Sequence, residues 1–234
     1  MRVCGVDDAG RGPVIGPLII AGVLVEEEKV SELKELGVRD SKTLPAVKRE
    51  KLAIEISRLV IESHLVELSP KALDEVVHRA PKLKRLNYLE AVAMASVIEK
   101  LRPEVAYVDA SDVVPDRFGR DILGRLSYKP KIISEHYADS TYPIVSAASI
   151  LAKVERDRRV QELRTQYGEF GSGYSTDERT IKFLEDYYKE NKVFPPIVRR
   201  SWETLQNIVN RIEQSKLRDL VLRDPRTSPL TRRE

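Results

Sequence analysis

A chain of 234 residues with 41% hydrophobic content is long enough to bury a core of its own, and its single cysteine, Cys4, excludes an internal disulfide framework and agrees with a reducing cytoplasm. Forty Lys and Arg against 37 Asp and Glu leave a net charge of +3, too small by itself to argue for a nucleic-acid partner. The longest apolar run, Pro17 to Val25, is too short to span a bilayer, and the N-terminus lacks the order of a signal peptide, so a soluble cytoplasmic protein with no membrane partner is expected.

Arg2 to Val6 and Leu18 to Val25 are apolar and β-branched, and read as two strands joined by a Gly/Pro loop, most economically as a hairpin. Cys4 then packs in the core. Pro45 to Leu59 repeats apolar residues at helical spacing, with Pro45 suited to the first turn. His64 to Leu68 is a third strand, Leu83 to Leu101 a long helix, and Val105 to Asp109 a fourth strand. A shorter helix interrupted by glycines follows at Asp116 to Leu126, and Lys131 to Glu135 is the fifth strand. Beyond Ser140 no strand is evident. Helices are expected at Val145 to Tyr167, Thr176 to Asn191 and Pro196 to Leu222, with the turn Gly171-Ser172-Gly173-Tyr174 ahead of the last two.

This order describes an α/β fold, a mixed five-stranded sheet flanked by helices with a helical C-terminal extension. The expected divisions are 1–168 for the sheet-bearing part, 169–222 for the helical part and 223–234 for a basic flexible tail. From Lys216 onward, Lys216, Arg218, Arg223, Arg226, Arg232 and Arg233 face only Asp219, Asp224 and Glu234, an excess of three that matches the whole net charge. Solvation and phosphate contact are both open readings of that end.

The acids carry the chemistry. Asp7 and Asp8 close the first strand, Asp109 closes the fourth, and Asp139 follows the fifth. In open α/β sheets, sites gather at the carboxyl ends of strands, so residues remote in the chain can meet there. Such a cluster would repel itself unless neutralised, and carboxylate oxygens are hard ligands suited to Mg²⁺ or Mn²⁺. Two such ions about 3.5 to 4 Å apart can activate a water and stabilise a leaving oxygen in phosphoryl transfer. An isolated Asp-Asp pair reads as a solvated acidic turn; Asp109 and Asp139 at other strand ends shift that reading toward a site. Because neighbours on a regular strand point to opposite faces, both Asp7 and Asp8 can serve only if the strand breaks there, and Gly10, Gly12 and Pro13 are expected to supply the break. His64, His78 and His136 have no paired metal-ligand spacing, and no Ser/His/Asp set emerges.

Several segments, in order, resemble the type 2 ribonucleases H, or ribonucleases HII, of archaea and bacteria. These are GVDDAGRGPVIGPL from Gly5, VRDSKTL at 38–44, AYVDA at 106–110, EHYAD at 135–139, SAASILAKVERDR at 146–158, GSGYSTDERT at 171–180 and FPPIVRRSW at 194–202. The resemblance implies a ribonuclease H-like core and cleavage of RNA in RNA/DNA hybrids and at ribonucleotides embedded in duplex DNA. It implies a role in replication and repair, two Mg²⁺ or Mn²⁺ ions, and Asp7, Asp8, Asp109 and Asp139 as catalytic acids and metal ligands. By the same resemblance Gly10, Arg11 and Gly12 read the 2′-hydroxyl through their backbone, and Tyr174 stacks on the deoxyribose of the next nucleotide. Lys42 and Lys153 lie near the substrate backbone, and Ser149, four residues before Lys153, shares its helix face.

Two positions depart from the family pattern: Asp8 stands where Glu is usual, and Tyr137 where Lys is frequent, leaving His136 as a proton handler or phosphate contact. No clamp-binding peptide of Gln followed by spaced apolar and aromatic residues follows Gln214, which puts a sliding-clamp partner in doubt. A monomer is the default. Two rivals stay open at this point, a Mg²⁺-dependent phosphohydrolase with Asp7 as nucleophile and a non-catalytic hybrid-binding protein. The 33% charged content with only four Asn and four Gln predicts a protein that works hot. Scanning calorimetry should place its melting midpoint above the ordinary mesophile range of about 45–65 °C, and a midpoint inside that range contradicts the reading.

Overall fold

A computed structural model describes residues 1–38, 44–77 and 82–223, the side chains of 82–85 and 216–223 excepted. Lys42, His78 and the residues from 224 on lie outside them. In chain order the main elements are β1 (Arg2–Ala9), β2 (Leu18–Glu26), α1 (Val30–Glu35), α2 (Ala46–Leu59), β3 (Glu62–Leu68), α3 (Pro70–Val77) and α4 (Lys82–Leu101). They continue with β4 (Val105–Asp109), α5 (Pro115–Leu123), β5 (Lys131–Glu135), α6 (Ala138–Thr141), α7 (Pro143–Tyr167), α8 (Glu178–Asn191) and α9 (Glu203–Arg223). The strands form one mixed sheet in the order β3-β2-β1-β4-β5. The expected hairpin is present: β1 pairs antiparallel with β2, which pairs antiparallel with β3, while β4 and β5 run parallel to β1.

Alternation along β1 sorts its side chains between two apolar layers. Val3 joins Ile19, Ala21 and Val23 of β2 beneath Ile56 of α2 and Val145 and Ala148 of α7. Cys4 and Val6 join Ile20 and Leu24 against Met94, Val97 and Ile98 of α4 and Phe118 of α5. Cys4 is thus the core residue its apolar surroundings predict. With helices on both faces the interior strand β2 is apolar almost throughout, as double coverage requires. The first half of α7 is buried on all sides, because its small residues let it lie directly on β1. A third cluster ties Val14 and Ile15, in the loop after β1, to Val160 of α7, Phe170, Leu184 of α8 and Leu205, Ile208 and Ile212 of α9.

The expected element boundaries hold within a few residues except at the last helix. It begins at Glu203, not Pro196, because the preceding residues make turns: Val198 bridges to Ile15 and the Val198 N–H donates to the Pro195 carbonyl. The short helices α1, α3 and α6 have too few turns to show a period in sequence. No described helix is long and apolar enough to cross a membrane.

Contact between α7 and β1 depends on Gly5, where an added Cβ would stand 2.3 Å from the Ile144 carbonyl oxygen. Backbone cannot yield as a side chain can, so Gly5→Ala should lower stability by about 1–3 kcal/mol. Urea unfolding checks this, and an unchanged midpoint contradicts the contact.

Candidate active site

The sheet brings three of the four expected acids together. Val6 of β1 lies opposite Val108 of β4, so one step further along these parallel strands Asp7 and Asp109 come side by side. Asp7 is 4% exposed, and its pKa is pushed well above the ordinary carboxylate range by burial first, then by the charges of Asp8 and Asp109. Its Oδ1 accepts the Asp8 N–H at 2.7 Å. Burial likewise pushes Asp8 up to about 7; Glu90 and Asp109 add to the rise, while Arg11 and Lys153 oppose it. The fourth acid, Asp139, is 6% exposed in α6, with its Oδ1 accepting from the Ser140 hydroxyl at 3.2 Å. It adjoins the others through Ala138, whose N–H donates to Asp109 Oδ1 at 2.7 Å. Tyr137, in the left-handed region at φ 58°, makes the bend that turns this N–H toward Asp109.

The expected break at Asp7 and Asp8 is absent. Strand β1 pairs with β2 through Asp7–Ala21, Asp8–Ile20 and Ala9–Ile19, so the two acids occupy opposite faces of a regular strand. Asp7 shares the face of Val3 under α7, and Asp8 the face of Cys4 and Val6 toward α4. Both still feel Asp109, whose charge raises the pKa of each. The glycines act one step later, turning the chain after Ala9: Gly10 has φ 94°, and a Cβ on it would meet the Pro17 carbonyl at 2.8 Å.

That turn, Gly10-Arg11-Gly12, is gripped from within. Arg199, 0% exposed, donates to the carbonyls of Gly10 at 2.6 Å, Arg11 at 2.9 Å and Gly16 at 2.9 Å. The Trp202 indole N–H donates to the Gly12 carbonyl at 3.3 Å. Burial, with Arg156 nearby, pushes the Arg199 pKa down to about 9, which leaves it charged at neutral pH. The Arg11 side chain points inward, pairing with Glu90 Oε2 at 2.8 Å and Asn87 Oδ1 at 2.7 Å. Tyr174 lies over the loop, its ring carbon 3.3 Å from where a Gly12 Cβ would stand, with the Arg156 guanidinium 5.7 Å from the ring centroid.

Among the helix residues, the buried Ser149 hydroxyl makes no hydrogen bond of standard geometry yet is close enough to Asp7 to favour its charged form. Lys153, one turn on, contributes positive potential at Asp8. His136 contacts the Val113 carbonyl at 3.3 Å, while Tyr137 is 73% exposed. Two participants were not foreseen. Glu90, fully buried beside Arg11 and Asp8, is a lone acid in the apolar helical run LEAVAMASVI, and Arg199 is an arginine after the apolar PPIV. Such isolated charges in apolar surroundings are the signal that points to them.

Among the described residues no three His, Cys, Asp or Glu side chains are gathered so as to hold an ion by themselves. The donor chemistry nonetheless fits a hard divalent cation: Asp7 and Asp8 are carboxylates raised first by burial and then by neighbouring acids, the condition a cation relieves. Mg²⁺ needs only one or two carboxylates, completing its shell with water and phosphate oxygens.

A family model, Ribonuclease HII, matches residues 4–205. The ribonuclease HII of Pyrococcus abyssi is 46% identical over 93% of this chain and 95% of its own. The solved ribonuclease H2 from Pyrococcus horikoshii OT3 superposes with a TM-score of 0.85 at 46% identity, covering 92% of this chain and 100% of that one. The PCNA:RNase HII complex from Archaeoglobus fulgidus does so with a TM-score of 0.79 at 39% identity, covering 88% and 96%. That relative was solved in complex with PCNA.

Asp7 and Asp8 bind protons more tightly in the folded chain than in the unfolded one. Without divalent ion their contribution therefore destabilises the fold progressively as pH rises from about 4, where unfolded Asp ionises, to about 7, where Asp8 does. Calorimetry in EDTA should find Asp8→Asn melting above the parent at pH 8 and level with it at pH 4. A variant that melts lower at pH 8 contradicts the repulsion.

Proposed function

The chain belongs to the ribonuclease HII family and is a metal-dependent RNA/DNA-hybrid endoribonuclease, and from that premise we propose that it cuts on the 5′ side of a ribonucleotide, leaving 3′-hydroxyl and 5′-phosphate ends. The reading covers RNA in hybrids and ribonucleotides embedded in duplex DNA, and so primer and ribonucleotide removal in replication and repair. The observation that carries it is the parallel register of β1 and β4, which sets Asp7 beside Asp109 at the foot of a glycine loop shaped for close approach to a sugar.

Asp7, Asp8, Asp109 and Asp139 would hold two divalent ions, Mg²⁺ or Mn²⁺, which when bound supply an activated water and neutralise charge on the departing 3′-oxygen. Asp7, in the field of both Asp8 and Asp109, would be a principal ligand. Ser149 favours its ionised form, and the Ala138 N–H orients Asp109. Lys153 offers positive charge to the substrate backbone. The Gly10–Gly12 backbone meets the 2′-hydroxyl, and the Tyr174 ring, laid against Gly12, stacks on the next deoxyribose. His136, three residues before Asp139, would serve as a proton handler or phosphate contact, and Lys42, outside the described residues, as a backbone contact.

Residues 1–168 then form the catalytic part, 169–222 the part that places Tyr174, and 223–234 a basic tail. The protein acts as a monomer in the cytoplasm and meets a sliding clamp of the PCNA kind, as the Archaeoglobus fulgidus relative does. Family membership leaves the aspartyl-nucleophile and binding-only readings without support.

A duplex carrying one ribonucleotide, incubated with Mg²⁺ or Mn²⁺, should be cut at the 5′ side of that residue. Asp109→Asn should reduce cleavage by at least about a hundredfold while duplex binding persists. Tyr174→Ala should lose activity selectively at RNA-to-DNA junctions, and equal loss on continuous hybrids would make its role structural. No cleavage with either ion rejects the assignment.

A further inference from the structure

Arg199 is the largest fully buried side chain described, it stands more than 180 residues from the loop it holds, and no role follows for it from the chemistry above. Burying a guanidinium is unfavourable unless every nitrogen is used. Here each is: Nε, Nη1 and Nη2 donate to three different carbonyls, Gly16, Arg11 and Gly10. The Arg199 N–H donates to the Val14 carbonyl at 2.9 Å, and its guanidinium lies 5.0 Å from the centroid of Trp202, which holds the Gly12 carbonyl. A short C-terminal segment thereby takes up the carbonyls of residues 10, 11, 12, 14 and 16.

The consequence lies in peptide geometry. In a planar trans peptide the carbonyl of one residue and the N–H of the next point in opposite directions, and no cis bond occurs among the described residues. With the Gly10 and Arg11 carbonyls aimed at Arg199, the N–H groups of Arg11 and Gly12 are aimed away from it. These two amides are thereby free of the arginine's side and available to meet a ribose oxygen. We infer that Arg199 is a positioning residue for ribose recognition: it touches no substrate, and its three-way grip presents the Arg11 and Gly12 amides to the 2′-hydroxyl. The inference rests on the hybrid-nuclease reading given above.

Lysine cannot replace such a fork, since its ammonium is a compact point charge on a flexible stem. In an Asp109→Asn background with Mg²⁺, where cutting is suppressed, affinity is measured for a duplex with one ribonucleotide and for the same duplex entirely of DNA. Arg199→Lys and Arg199→Gln should lower the preference for the ribonucleotide duplex about tenfold, the cost of misplacing one charge-assisted contact network, while binding to the DNA duplex is unchanged. An unaltered preference in a folded variant, or equal weakening on both duplexes, overturns the inference. Should circular dichroism show neither variant folded, Asp74→Ala carries the test. It leaves Arg199 in place but removes the bonds from Arg200 N–H, Ser201 N–H and the Ser201 hydroxyl that pin its segment, at 2.8, 2.8 and 2.7 Å. A lowered preference there supports the role, and an unchanged one rejects it. A parent protein that neither cuts nor prefers the ribonucleotide duplex defeats the nuclease reading itself, an outcome distinct from loss of preference confined to the variants.

Discussion

Like charges brought together in a buried place are the constraint around which this molecule is arranged. Asp7, Asp8 and Asp109 come near one another because β1 and β4 are parallel neighbours whose register sets Asp7 level with Asp109, and both Asp7 and Asp8 are raised by burial before any charge is considered. A fold that keeps carboxylates in this state is storing an unfavourable interaction that a cation removes. The surrounding polar groups are placed to moderate it: Ser149 on Asp7, Arg11 and Lys153 on Asp8, and the Ala138 amide on Asp109.

The second arrangement is the loop that starts where β1 stops. It is held from elsewhere in the chain: Arg199 and Trp202 donate to its carbonyls from the C-terminal side, and Glu90 and Asn87 of α4 accept from the Arg11 side chain. Charge runs through both systems, because Glu90 is at once the partner of Arg11 and a neighbour that raises Asp8. The glycine loop and the neighbouring acids are therefore electrically connected through one buried glutamate, itself pushed up to about 7 by burial. The C-terminal helices contribute by packing Ile208 and Ile212 of α9 and Leu184 of α8 onto Val14 and Ile15, which seats the loop from outside the sheet.

Much of this was legible from residue types alone. Alternating and continuous apolar runs placed all five strands, since a strand of five to nine residues shows its pattern over its own length. Long helices such as α4 and α7 did the same, whereas α1, α3 and α6 are too short for periodicity to show. The start of α9 was misplaced because Pro196 suits a first helical turn, yet the next residues are committed to Ile15 and to the loop after β1. The expectation of a broken strand at Asp7 and Asp8 failed because β1 keeps its pairing with β2 through Ala9, and the charge of Asp109 still reaches the acids on both faces.

By itself the sequence determined the kinds of element, the four acids, the glycine turn and the family to which the chain belongs, all properties that reside in a residue and its near neighbours. Only the tertiary structure decided which strands lie side by side, that Glu90 stands behind Asp8 and that Arg199 holds Gly10 and Arg11. Those are contacts across about 80 to 190 positions of chain, created when two helical layers and a sheet close on one core, and local patterning has no access to partners chosen by that closure.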